Sequence, residues 1–70
     1  MEWEKMLNST SKARVDGVAL AVVSPDETVE GRYIARILFE DGSRDICYGW
    51  TVSEAQQGAE RCIEHWLLAC

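Results

Sequence analysis

The stretch Gly31-Arg32-Tyr33-Ile34-Ala35-Arg36-Ile37-Leu38-Phe39-Glu40-Asp41-Gly42-Ser43-Arg44-Asp45-Ile46-Cys47-Tyr48-Gly49 decides the fold. Side chains alternate across a strand with a period of two, so Arg32 to Glu40 sorts into two faces. Tyr33, Ala35, Ile37 and Phe39 form an apolar face; Arg32, Ile34, Arg36, Leu38 and Glu40 form a mixed one. One covered face and one partly exposed face would give this pattern. Asp41-Gly42 follows at once and predicts a hairpin, because a type I′ turn needs positive φ at both central positions. Arg44 to about Gly49 then returns as the next strand, with Ile46 and Tyr48 on one face and Cys47 on the other.

Downstream, Thr51-Val52-Ser53-Glu54 fits a capping box, with Thr51 as N-cap and Glu54 at the third helical position. Trp50 and Ala55 are placed to form the hydrophobic staple of the same helix. Val52, Ala55, Ala59, Cys62, Ile63 and Trp66 recur at helical spacing and define its apolar face. Gly58 costs about 1 kcal/mol against Ala inside a helix, which points to close packing on the sheet. The helix is expected to run to the apolar end Leu67-Leu68-Ala69-Cys70, either docked or part of an interface.

Upstream, Ala13 to Ser24 reads as one strand rich in Val15, Val18, Leu20, Val22 and Val23, with Gly17 marking a bulge. Ser24-Pro25-Asp26-Glu27 begins a turn that ends at Gly31. Residues 1–12 admit two readings. Trp3, Met6 and Leu7 have helical spacing, Trp3, Lys5 and Leu7 alternate, and Asn8 to Ser11 reads as a loop. The expected fold class is therefore α+β: a three-stranded antiparallel meander, one C-terminal helix packed on one face, and a short N-terminal segment, helical or extended.

The 70 residues make a single domain, 1–70, with 47% hydrophobic and 27% charged residues, which argues against disorder. So small a chain buries little surface, and Trp3, Trp50 and Trp66 are expected to build the core. The start, Met1-Glu2-Trp3-Glu4-Lys5, has neither the basic residues nor the apolar run of a signal peptide. No apolar stretch approaches the ~20 residues of a membrane span. Cys47, Cys62 and Cys70 are odd in number and lack CxxC spacing, so no disulfide framework is expected. These signs point to a cytoplasmic protein.

Little suggests catalysis or a cofactor. His65 is the only histidine. Cys62 and His65 share a side of the helix, but zinc would need Cys47 or Cys70 to complete four ligands, at no usual spacing. A Cys–His nucleophile needs a third group to orient the base, and phosphate-loop motifs are absent from the sequence. The chain is read as a non-enzyme without metal or cofactor.

The net charge of −5 opposes direct binding of nucleic acid or of anionic membranes and suits a basic partner. Candidate acidic contacts are Asp26, Glu27 and Glu30 in the first hairpin loop, Glu40, Asp41 and Asp45 around the second, and Glu60 and Glu64 on the helix. In a meander the two loops point to opposite ends. Leu67 and Leu68 are candidate apolar contacts. A sheet edge could also pair with a partner, and Arg32, Arg36 and Arg44 could guard it.

Gly31-Arg32-Tyr33-Ile34-Ala35, then a hairpin, then Gly49-Trp50-Thr51-Val52-Ser53-Glu54-Ala55 and Ile63-Glu64-His65-Trp66-Leu67 together resemble HicB-type antitoxins over residues 31–67. In place of that family's Pro-Asp-x-Pro-Gly stretch stands Phe39-Glu40-Asp41-Gly42-Ser43. The resemblance implies a fold whose family role is to bind and block a small basic toxin nuclease. In size and charge the chain is also similar to phage-encoded anti-CRISPR inhibitors. Both comparisons lead to one expectation: a small acidic inhibitor, phage- or antitoxin-like, that blocks a protein or ribonucleoprotein complex with a basic surface. The alternative is a homo-oligomeric accessory module, such as a homodimer, using Leu67, Leu68 and the sheet edge.

Overall fold

A computed structural model describes residues 1–69. Five strands, β1 (Glu4–Lys5), β2 (Ser11–Val15), β3 (Ala19–Pro25), β4 (Tyr33–Phe39) and β5 (Arg44–Gly49), precede one helix, α1 (Val52–Ala69). All pairs are antiparallel, and spatial order follows chain order. The α+β class and the single C-terminal helix are as expected, but the sheet has five strands rather than three.

The two extra strands come from two turns. Asp16-Gly17 is a hairpin turn, not a bulge: Val18 N–H donates to Val15 C=O at 2.9 Å, and Gly17 sits at φ 72°. Positive φ at the third turn position suits a type II turn and glycine. The apparent single strand of residues 13–24 is therefore β2 folding back as β3, with Ala13 opposite Ala21. Near the N-terminus, Asn8 and Ser9 both adopt positive φ, and Thr10 N–H reaches Leu7 C=O at 3.3 Å. That turn joins β1 to β2, so the alternating reading of residues 3–7 prevails over the helical one.

The turn at Asp41-Gly42 also differs in type. Gly42 alone has positive φ, 91°, while its N–H donates to Phe39 C=O and Phe39 N–H donates to Ser43 C=O. This is a type I turn closed by a left-handed glycine, the usual three-residue hairpin loop.

The helix covers one face of the sheet. Ala19, Ala21, Val23, Ala35, Ile37 and Phe39 from the strands meet Ala55, Ala59 and Ile63. Alanines on both layers let helix and sheet approach closely. Gly58 extends this: a Cβ there would stand 3.3 Å from the Cys47 Cβ. The core is thus built of small and aliphatic residues with Phe39, not of tryptophans. Trp3 and Trp66 pack at its rim, with Trp66 stacked on Phe39 at 4.8 Å, while Trp50 remains 63% exposed.

The helix start is capped as predicted by Thr51, whose Oγ accepts from Glu54 N–H at 3.0 Å. The Glu54 carboxylate accepts from Trp50 N–H at 2.9 Å, one residue earlier than in the standard box. With Trp50 largely exposed, the expected staple to Ala55 gives way to a backbone contact. Ala55 lies over Gly49, where a Cβ would come within 2.5 Å of the Ala55 nitrogen.

Candidate interaction surfaces

Register and pleat assign each strand residue to a face. Lys12 and Arg14 of β2, Leu20 and Val22 of β3, Ile34, Arg36 and Leu38 of β4, and Arg44, Ile46 and Tyr48 of β5 all project away from the helix. Arg32 joins them just before β4, its guanidinium 4.1 Å from the centre of the Tyr48 ring. Five of the seven Lys and Arg residues therefore lie on this uncovered face. Between them Leu38, Ile46 and Tyr48 are each about half exposed. Leu20, Val22, Arg36, Leu38, Arg44 and Ile46, with Asp45, line a shallow groove of about 440 Å³ there. The edge-guard role expected for three arginines needs correcting: Arg36 lies on β4, inside the sheet, and only Arg44 stands on the edge strand β5.

Most carboxylates lie elsewhere. Of twelve, Glu2 and Glu4 lie beside Lys12 and Arg14 on this face, with Glu4 4.0 Å from Lys12; Asp45 lines the groove next to Arg44, and Asp26 borders the face through Arg32. The other eight are spread over the helix layer and the two ends of the sheet, where among the described residues the Lys and Arg side chains are Lys5 and Arg61. A protein of net charge −5 thus gathers five of its seven Lys and Arg residues on one partly apolar face, while eight of its twelve carboxylates lie elsewhere. Alternation along β4 shows one row of this face in the sequence; the whole face depends on β2 and β3 being separate strands.

The eight acidic candidates separate into two kinds. Asp26 is a structural hub: its carboxylate accepts from Thr28 N–H and Oγ–H and pairs with Arg32 at 2.6 Å. The Thr28 hydrogen bonds, then Arg32, hold its pKa down at about 2. Asp41 accepts from Ser43 N–H and Oγ–H, which lowers its pKa. Both are side-chain turns that stabilise hairpin loops. Asp45 accepts from Ile46 N–H, and Glu60 accepts from the Trp3 indole N–H at 2.8 Å, tying β1 to the helix. Glu27, Glu30, Glu40 and Glu64 are exposed, with the Glu40 carboxylate lying over Gly17.

These candidates do not form one patch. Asp26, Glu27 and Glu30 lie beyond the Pro25–Tyr33 pair, whereas Glu40 and Asp41 lie beyond the Ala19–Phe39 pair at the other end. Trp66 on Phe39 brings the C-terminal half of α1, with Glu64, toward the Glu40 end. Leu67 and Leu68 in the same turn are 46% and 79% exposed, so the helix end is not docked within the chain.

His65 is exposed on α1, and Cys62 meets Cys47 at 2.7 Å between sulfurs. Burial, then Cys47 and Asp45, push the Cys62 thiol up to about 12, the opposite of an activated nucleophile. Cys70, a candidate fourth ligand for zinc, lies outside the described residues. Among the described residues no helix is long and apolar enough to cross a membrane. Compared with known protein families, curated proteins and solved structures, the chain matches none.

Proposed function

We propose that this domain is a non-enzymatic inhibitor that blocks a basic nucleic-acid-handling protein or ribonucleoprotein complex, in the manner of an antitoxin or a phage anti-CRISPR protein. The supporting observation is the segregation of charge. Eight carboxylates against two Lys or Arg side chains lie away from the open sheet face. Such a surface competes with phosphates for a partner's Lys and Arg and steers the encounter. The exposed carboxylates Glu40 and Glu64, at the end where α1 terminates, are the first contacts to test. Tagged protein is used to capture complexes from cells carrying nucleic-acid defence and toxin systems, at low and high salt. A nuclease or ribonucleoprotein recovered at low salt, weakened by salt and lost with E40K/E64K, supports the reading. Recovery unaffected by both salt and these substitutions overturns it.

A second reading rests on the open sheet face. Its cations and half-exposed aliphatics complement a second copy of this chain, whose helix end offers Leu67 and Leu68 beside Glu64. Contact between two different patches is heterologous, so it would build rings or filaments rather than a closed dimer. Light scattering across a concentration series tests it: growth in mass that R36E and L68D each abolish supports self-assembly, and a constant monomer mass excludes it.

A further inference from the structure

The sulfurs of Cys47 and Cys62 stand 2.7 Å apart, one on the edge strand and one on the helix. Non-bonded heavy atoms sit best at about 3.5–4.0 Å, and a disulfide joins its sulfurs at about 2.0 Å. The two sulfurs therefore stand closer than ordinary packing and about 0.7 Å from bonding distance. Gly58, one turn before Cys62, brings the helix down onto Cys47, and the Cys47 thiol also points at the Gly58 carbonyl at 3.6 Å. Both cysteines are half-buried, so small reagents can reach them while protein surfaces cannot easily do so.

We propose that Cys47 and Cys62 form an intramolecular cross-linking site, in which a low-molecular-weight disulfide oxidises the pair to a single bond joining β5 to α1. The Cys47 thiolate attacks one sulfur of the reagent, forming a mixed disulfide and releasing one thiol. Cys62 then gives up its proton and attacks the Cys47 sulfur, forming the Cys47–Cys62 bond and releasing the second thiol. Two protein thiols are oxidised, one reagent disulfide is reduced to two thiols, and no other reactant is needed. Cys47 is the entry point because Cys62 is held protonated by burial and by its neighbours. Resolution by Cys62 is favoured by the enforced proximity of its sulfur. The bond spans fifteen positions in sequence and restricts the unfolded chain accordingly.

The test uses the full chain with C70S, which leaves only these two thiols, treated with oxidised glutathione. The expected product is a monomer lighter by two hydrogens, with no titratable thiol and a 47–62 cross-linked peptide. Its Tm should exceed that of the reduced form by an amount on the order of 10 °C. Adding C62S should halt the reaction at a glutathione adduct on Cys47. If the C70S protein, shown folded by circular dichroism, keeps both thiols or accumulates the same adduct as the C62S variant, the proposal fails.

Discussion

Replacing Gly49 with alanine probes the point where sheet and helix meet. Gly49 closes β5, and the first turn of α1 lies directly on it. A Cβ built there stands 2.5 Å from the Ala55 nitrogen, 2.8 Å from the Glu54 Cβ and 2.9 Å from the Glu54 carbonyl carbon. Two of these atoms are backbone, so no rotamer change relieves the contact. Ordinary packing begins at 3.4 Å, so the first turn of the helix must retreat by about 1 Å. That movement pulls Ala55 from the core and strains the Thr51 cap. Overpacking of this kind costs about 1–3 kcal/mol, and the backbone contact puts G49A at the upper end. For a chain of this length the loss lowers Tm by roughly 10–20 °C. Thermal and urea unfolding, followed by circular dichroism, measure it. A G49A protein melting within about 2 °C of the parent would refute the placement of α1 over the end of β5, since 1 kcal/mol already moves Tm more than that.

Three further outcomes are expected. T51A should cost about 1 kcal/mol in urea unfolding through loss of the N-cap, and T51S should retain most of it. W3F keeps an aromatic ring at the rim but loses the bond to Glu60; it should cost about 1–2 kcal/mol and speed amide exchange in β1 and β2. The third concerns acid. Asp26 titrates near 2 in the fold against the usual 3.8, so its stabilisation is complete above about pH 5 and is lost as pH falls through about 2. D26N should be less stable than the parent at neutral pH, and the gap between their melting temperatures should close across that acid window.

Much of the fold was legible because local signals agreed with tertiary packing. The alternation in β4, the hairpin after it and the capped helix all lay within short segments. The same dipeptide that announced the turn at Asp41-Gly42 also stood at Asp16-Gly17, but the valines around it suggested one continuous strand. Read as one strand, residues 13–24 hide β2 and, with it, the open face. The tryptophans misled for a different reason: a core of alanines leaves no room for indole rings between closely spaced layers, so Trp3 and Trp66 lie at the rim. Charge was legible only as a total. Net charge cannot show that Lys12, Arg14, Arg32, Arg36 and Arg44 project from one face, because that depends on the register of four strands. Likewise, Asp26 and Asp41 looked like surface carboxylates until their threonine and serine donors fixed them as parts of turns.

The most direct measurement is displacement of labelled nucleic acid from the complex captured by this protein, titrated with three forms of the domain. The account predicts that the parent and R36E/R44E release the nucleic acid at similar concentrations, while E40K/E64K needs at least tenfold more. Release by E40K/E64K at parental concentrations, with loss of activity in R36E/R44E, would contradict it and place the working surface on the open sheet.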